Sequence, residues 1–486
     1  MKYAIPFLFL LAALTGGFNS SAQESFRTEH DLLGDMKIPS DAYYGVQAAR
    51  AMENFNISKF TVSDFPEFIN ALALVKLAAA KSNMDAGGLE SDKVDAIEEA
   101  CNAIMEGKYH DQFAIDMYQG GAGTSTNMCA NEVIANVALE MMGEPLGSYD
   151  IIEPHDDLNM SQSTNDFYPT ALKVAMVLKN QKVIDELHAL ADAFDKKGNE
   201  FDEILKMGRT EMQDAVPMTL GQEFHAFADA LRGEVAFLEQ AEEYLHSHNM
   251  GGTAIGTGLN AQEGFTEGCS KHLSDLTGKE FTAADNLIAA TSDMQSFVVY
   301  SSALRSLAAK LSKTASDLIL LSSGPRTGLF EINLPALQPG SSIMPGKVNP
   351  VIPELTNIVA FRVMGNDVTV GLAGKTGQLQ LNAYEPLIAV CVFESQMLLT
   401  NMMNTLRTKC VDGITANEDI LANYINRSVG IVTALNPVLG YDKATELAKE
   451  ALASGKGILE LVREQNLLTE KQIEEILDPK AMTGQK

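Results

Sequence analysis

Cysteine is sparse and unpatterned in this chain. The five that occur, Cys101, Cys129, Cys269, Cys391 and Cys410, are an odd number, widely spaced and without a C-x-x-C pair. Even in an oxidising compartment one of them must stay free, and buried, unpaired thiols are the simplest reading. Eight histidines are scattered, with no H-E-x-x-H or comparable ligand spacing, so no metal site is expected. The glycines at 120–123 do not follow a βαβ pattern with an acid downstream, which leaves a dinucleotide loop poorly supported. Positive charge is also short, with 36 Lys and Arg against 64 Asp and Glu and a net charge of −28. That balance argues against nucleic acid or an anionic membrane as partner, and for most of the surface it reads as solubility. Beyond the first residues no stretch reads as long and apolar enough to span a bilayer. Alternating strand patterns are scarce, and neither an internal repeat nor a low-complexity tract is found.

What remains is a composition ordinary for a globular protein, 46% hydrophobic and 21% charged, in 486 residues. That length allows about three domains at ~150 residues each. Apolar residues recur on one helical face at Phe224, Phe227, Leu231, Val235, Leu238 and Leu245, and again at Leu304, Leu307, Leu311, Ala315 and Leu318. Both runs suit long bundle helices. Glycine and proline cluster at 119–123, 249–258, 324–328 and 335–350, between the helical stretches. The 22 methionines read as fillers of core gaps. The start has the form of a targeting segment: Lys2, an apolar run from Tyr3 to Leu14, then Gly16-Gly17 and Ser20-Ser21-Ala22. Cleavage after Ala22 and export, to a bacterial periplasm, are expected, with a partly apolar cytoplasmic extension as the alternative.

Residues 340–350 read Gly-Ser-Ser-Ile-Met-Pro-Gly-Lys-Val-Asn-Pro and carry neither helix nor strand periodicity. Gly340 and Gly346 permit close approaches and unusual backbone angles, and Pro345 and Pro350 stiffen the chain and remove two donors. Such a loop can present Ser341, Ser342, Lys347, Asn349 and free N–H groups to a small anion. A plain surface turn is the alternative.

This loop resembles, residue for residue, the signature of the aspartase/class II fumarase family. Five further blocks resemble the family in the same order: Tyr43-Tyr44-Gly45-Val46-Gln47 with Glu53-Asn54-Phe55; Gly120-Gly121-Ala122-Gly123-Thr124-Ser125 with Asn127, Asn131 and Glu132; Ser161-Gln162-Ser163-Thr164-Asn165-Asp166 with Pro169-Thr170; Gly208-Arg209-Thr210-Glu211-Met212-Gln213-Asp214 with Leu220-Gly221-Gln222-Glu223; and Gly256-Thr257-Gly258-Leu259-Asn260. Argininosuccinate and adenylosuccinate lyases carry looser versions and fit less well. The resemblance implies an all-α, three-domain fold with a long central helical bundle. After residues 1–22 it would comprise an N-terminal domain at 23–163, the bundle at 164–419 and a small C-terminal domain at 420–486. It also implies a homotetramer with one shared helical core and active sites drawn from three subunits. The blocks themselves lie far apart in sequence and are expected at helix ends.

The activity implied is elimination of ammonia from L-aspartate to give fumarate through an aci-carboxylate, with no organic cofactor and no metal. Class II fumarate hydratase, or a catalytically inactive exported relative, is the alternative. Taking a proton from carbon beside a carboxylate requires a positioned base and donors aimed at the developing oxyanion, one such donor contributing roughly 3–4 kcal/mol. By the resemblance Ser341 is the base, Lys347 and Asn349 hold one carboxylate, and Ser342 bonds the other. Thr124, Ser163, Thr164, Asn165 and Thr210 match the remaining contacts, although Ser, Thr and Asn also serve as helix caps. Because the chain is acidic overall, a site for a dicarboxylate must be locally positive or rich in donors. Two departures stand out. Glu211 occupies a place where fumarases and some aspartases carry His and other aspartases Gln. The family's His is associated with a glutamate that corresponds to Glu354, so two carboxylates would meet there and share a proton. Alternatively, an ionised Glu211 would attract the substrate ammonium, or it points elsewhere. The lack of His, the run Gln213-Asp214-Ala215-Val216-Pro217-Met218, the run Leu321–Arg326 and the Tyr43-Tyr44 pair lean towards aspartase. His155, where the family usually has Asn, puts in doubt a secondary anion site found in some relatives.

Overall fold

The computed structural model describes residues 25–483, so the expected targeting segment, with the cleavage after Ala22 expected there, lies outside the described residues. Among these residues are seventeen α-helices and only short two-stranded sheets, an all-α architecture. A hairpin of β1 (Phe26–Asp31) and β2 (Gly34–Pro39) leads into α1 (Val46–Asn54), α2 (Pro66–Asp85), α3 (Ser91–Met105) and α4 (Thr124–Met141). The helix α5 (Thr164–Glu200) follows, then a second hairpin, β3 (Leu205–Thr210) with β4 (Gln213–Thr219), and α6 (Leu220–Glu243). After α7 (Phe265–Thr277) and α8 (Leu287–Ser292) come α9 (Gln295–Leu321), α10 (Val351–Thr376) and α11 (Glu385–Lys409). Six shorter helices close the chain: α12 (Glu418–Arg427), α13 (Val432–Leu439), α14 (Tyr441–Ser454), α15 (Ile458–Glu464), α16 (Glu470–Leu477) and α17 (Pro479–Thr483).

Five long helices form the bundle. Helix α5 packs on α6, α6 on α9, α9 on α10, α10 on α11 and α11 back on α5, which closes a ring. The residues read as apolar faces, Phe224 to Leu238 along α6 with Leu245 just past its end, and Leu304 to Leu318 along α9, are buried. Ser163 starts α5 with a capping box: its hydroxyl accepts the Asn165 N–H, and Asp166 accepts the Ser163 N–H. Pro169, inside α5, removes the N–H that would bond to the Asn165 carbonyl, and the Asn249 side-chain amide donates there instead at 2.9 Å. The helix therefore continues past a proline because loop 249–258 supplies the missing donor.

A single hydrophobic core runs from Ala48 to Leu421, across the 163/164 boundary, and α7 from the middle of the chain packs on α2. A second, small core gathers the C-terminal helices around Met207 of β3. All five cysteines are free and buried. One expectation is corrected at α11: residues 385–413 hold an 18-residue window of mean hydropathy 1.3, long and apolar enough to cross a membrane. The composition follows from packing, since α11 lies between α5 and α10 in the ring and most of that stretch is buried.

Candidate active site

The residues expected to bind substrate do not share one cleft of one chain: some line a first cleft, others a second, and Thr210 and Glu211 line neither. The first, of about 620 Å³, is lined by Thr124, Ser163 and Thr164 together with Asn127, Asn159 and Gln162. Thr124 opens α4 directly after Gly121, Ala122 and Gly123, all three in the left-handed region. Gly123 cannot be replaced cheaply, because a Cβ there would collide with the Tyr168 ring beneath it. Thr124 Oγ1 donates to the Gly121 carbonyl at 2.8 Å, and Ser163 is the cap of α5, so both carry the local roles open to them in sequence. Thr164 Oγ1 accepts from Asn127 Nδ2 at 3.0 Å. Asn165 spends its amide on the Ala254 carbonyl at 2.7 Å, pinning loop 249–258 over the cleft. Asp166 is fully buried; beyond the cap it accepts the N–H groups of Gly251 and Thr253 at 3.2 and 2.8 Å. Burial pushes its carboxyl up to about 7, against those donors and Lys76.

The second cleft, of about 750 Å³, is lined by Lys347, Asn349 and Glu354 along the 340–350 loop. That loop is closed at its neck: Gly340 N–H donates to the Lys347 carbonyl at 2.7 Å, and Asn349 Nδ2 donates to the Gly340 carbonyl at 2.9 Å. A Cβ on Gly340 would lie 2.8 Å from the Lys347 oxygen, so only glycine fits this neck. Ser341 Oγ accepts two backbone N–H groups, from Ile343 at 3.2 Å and Met344 at 3.0 Å. Donors aimed at a hydroxyl oxygen are the arrangement of a serine turn, and they also favour the deprotonated form of that oxygen. Ser342 and Lys347 are exposed at the loop surface. Glu354 lies in the first turn of α10, where its charge also suits the helix dipole.

Thr210 and Glu211 stand at neither cleft. Their block does not lie at a helix end, as expected, but on the β3–β4 hairpin, whose two-residue turn is Glu211-Met212. Both turn residues have positive φ, 52° and 66°, the geometry of a turn that favours Asn-Gly. The hairpin can hold it because its stem is anchored: Lys206 Nζ meets Glu223 at 2.6 Å and Glu331 at 2.8 Å, and Arg209 meets Glu331 at 2.5 Å. Beside the turn, Met212, Gln213 and Asp214 line a third cleft with Val429 and Gly430. Glu211 and Glu354 are both exposed, and among the described residues of one chain neither side chain has a hydrogen-bond or ion-pair partner. One chain thus does not bring the two glutamates together. His155 lies exposed at the rim of the first cleft.

Sequence reasoning missed Lys76 and did not single out Asn159. Lys76 is fully buried behind the first cleft, its ammonium donating to Gln162 Oε1 at 2.9 Å and Asn159 Oδ1 at 3.2 Å. The available signal was a lone lysine within Ala71–Ala80, a run buried on every side of α2.

With this geometry in view, the comparisons with known proteins are decisive. A family model described as Lyase matches residues 34–365, and one described as Fumarase C C-terminus matches residues 431–484. The chain belongs to the aspartase/class II fumarase lyase family. Aspartate ammonia-lyase of Pseudomonas aeruginosa is 54% identical over 94% of this chain and 97% of its own length. The Escherichia coli enzyme of that name is 49% identical over 93% and 95%. Among solved structures, a Brucella melitensis fumarate lyase:delta crystallin bound to cobalt superposes with a TM-score of 0.90 at 51% identity, covering 94% of this chain and 99% of that one. A class II fumarase from Schistosoma mansoni gives 0.87 at 35% identity, over 95% and 100%. The fold expected from the sequence blocks is therefore the fold of this family.

Proposed function

We propose that this chain is an aspartate ammonia-lyase, a carbon–nitrogen lyase converting L-aspartate to fumarate and ammonia. The observation that carries the reading is about 50% identity, over nearly the whole chain, to enzymes of that name, with Ser341, Lys347 and Asn349 in place. In this reading Ser341 takes the C3 proton, its Oγ held ready by the Ile343 and Met344 amides. The electron pair first rests on the adjacent carboxylate and then forms the C2–C3 double bond as the C–N bond breaks. Lys347, Asn349 and Ser342 bind carboxylate oxygens, and Thr124, Ser163, Thr164, Asn165 and Thr210 complete the donor set. Glu211 and Glu354 meet across subunits and bear on the departing amine.

We propose further that the protein is a homotetramer, because no cleft of one chain holds the whole set. Helix α10 supports this: Ile358, Phe361, Val368 and Leu372 are each more than half exposed and share one face, an apolar stripe suited to a partner helix. Domains at 23–163, 164–419 and 420–486, and export to the periplasm after cleavage at Ala22, complete the proposal. Fumarate absorbance with L-aspartate and, separately, L-malate as substrate tests the activity. Product from aspartate alone is expected. Product from malate alone would overturn the reading in favour of a fumarase, and no product from intact protein would favour an inactive relative. A Glu211→Gln variant with unchanged kinetics and pH profile would remove Glu211 from the mechanism.

A further inference from the structure

We propose that Lys76 is a positioning residue for substrate capture, setting the Thr164 hydroxyl as a donor into the first cleft through Asn159 and Asn127. The inference rests on the aspartate ammonia-lyase reading above and deepens it, by naming what makes that cleft receptive to a dianion in so acidic a chain.

The relay is directional because a lysine ammonium can only donate. Lys76 Nζ contacts three neutral oxygens, on Gln162 at 2.9 Å, Asn159 at 3.2 Å and the Leu158 backbone at 3.4 Å. The side-chain oxygen of Asn159 must therefore face the ammonium. The same oxygen takes N–H groups from Asn127 at 3.0 Å and Asn131 at 3.3 Å, while Asn159 Nδ2 is held by the Gln162 carbonyl at 3.2 Å. Asn127 then presents its amide nitrogen, whose second proton goes to Thr164 Oγ1 at 3.0 Å. Thr164 is an acceptor on its inner side, which leaves its own O–H for the cleft. A carboxylate needs a donor there, and each step back to Lys76 fixes that polarity.

Lys76 also has a charge without a close counterpart. Among the described residues no carboxylate lies within ion-pair distance of its ammonium, which sits 3.9 Å from the Phe167 ring centroid. Asp166 acts on it only from further off and has three backbone donors of its own. Burial pulls the ammonium well below its ordinary range, with Asp166 and Cys101 pulling the other way. A buried cation facing only neutral acceptors is costly, and a dianion arriving in the adjoining cleft offsets that cost.

The test uses the mature full-length protein and its Lys76→Met variant. KM for L-aspartate and kcat come from fumarate absorbance, and succinate affinity from calorimetry. A rise of about tenfold or more in both KM and the succinate Kd is expected, as for loss of a charge-assisted hydrogen bond, with kcat changed far less. Unchanged KM and Kd in a folded variant overturn the inference while leaving the enzymatic reading intact. A wild type that neither makes fumarate nor binds succinate overturns both. Should Lys76→Met fail to fold, Asn127→Ala, Thr164→Val and their double variant decide: non-additive losses in succinate affinity support the relay, and additive losses overturn it.

Discussion

Arg209 meets the fully buried carboxylate of Glu331 at 2.5 Å, and Lys206 reaches the same carboxylate at 2.8 Å. One glutamate thus ties the hairpin bearing Thr210 and Glu211 to the segment that leads from α9 into the 340–350 loop. Glu331→Ala leaves Lys206 buried without that partner, and removal of one member of a buried pair costs about 3–5 kcal/mol. Urea unfolding of the variant against wild type measures it; Glu223, still paired with Lys206, sets the lower part of that range.

Ser341→Ala removes the proposed base and leaves the loop neck of Gly340, Lys347 and Asn349 untouched. A fall in kcat of about 10²–10⁴-fold is expected for loss of general base catalysis, with succinate affinity preserved. Steady-state kinetics together with calorimetry separate this outcome from a collapsed loop.

Gly340→Ala places a Cβ 2.8 Å from the Lys347 carbonyl and must open the neck of the loop. A displacement of about 1 Å at reacting groups costs on the order of 10²-fold, so activity drops steeply while circular dichroism and melting temperature stay near wild type. An active Gly340→Ala enzyme would show that the neck geometry is not required.

Asp166 predicts a pH dependence of stability. Its carboxyl is raised by burial from an ordinary 3.8 to about 7, so the folded state holds a proton that the unfolded state releases. Its contribution is full below about pH 4 and is lost as pH rises through about 7, with no further change above. Asp166→Asn lacks this titration. The stability of wild type relative to the variant therefore falls from about pH 4 to about pH 7, as followed by urea unfolding across that range.

The exposed stripe on α10 predicts assembly. Replacing both Ile358 and Phe361 with Asp puts charge on that face, and sedimentation should show smaller species than wild type with the helical signal retained. A wild-type assembly in the double variant would place the interface elsewhere.

Much of the fold was legible because its signals are local. The faces from Phe224 to Leu245 and from Leu304 to Leu318 need only helical periodicity to be read, and glycine and proline mark the breaks between them. The hairpin under Thr210 and Glu211 was not legible: its turn is Glu-Met rather than Asn-Gly, and what holds it is Glu331, more than a hundred residues away. The roles of Ser163 and Asn165 divide in a similar way. Their block is distinctive and a cap at Ser163 was open to reading, but only three dimensions reveal that Asn165 pins loop 249–258. Lys76 was hidden for the opposite reason. Its surroundings are so uniformly apolar that the run reads as core, and the acceptors that justify a cation there lie more than eighty residues further on.

Helix α11 has one more consequence. A chain that leaves the cytoplasm as proposed here threads its channel unfolded, before α5 and α10 exist to cover α11. At that moment residues 385–413 present to lipid a segment with the length and hydropathy of an anchor. The polar residues within it, Glu394, Gln396, Asn401 and Asn404, are then what argues for passage over lateral release. In the folded protein two of them do different work, Gln396 bonding Tyr300 at 2.7 Å and Glu394 bonding Arg362 at 2.9 Å. The same side chains would thus serve the finished bundle and guard its delivery.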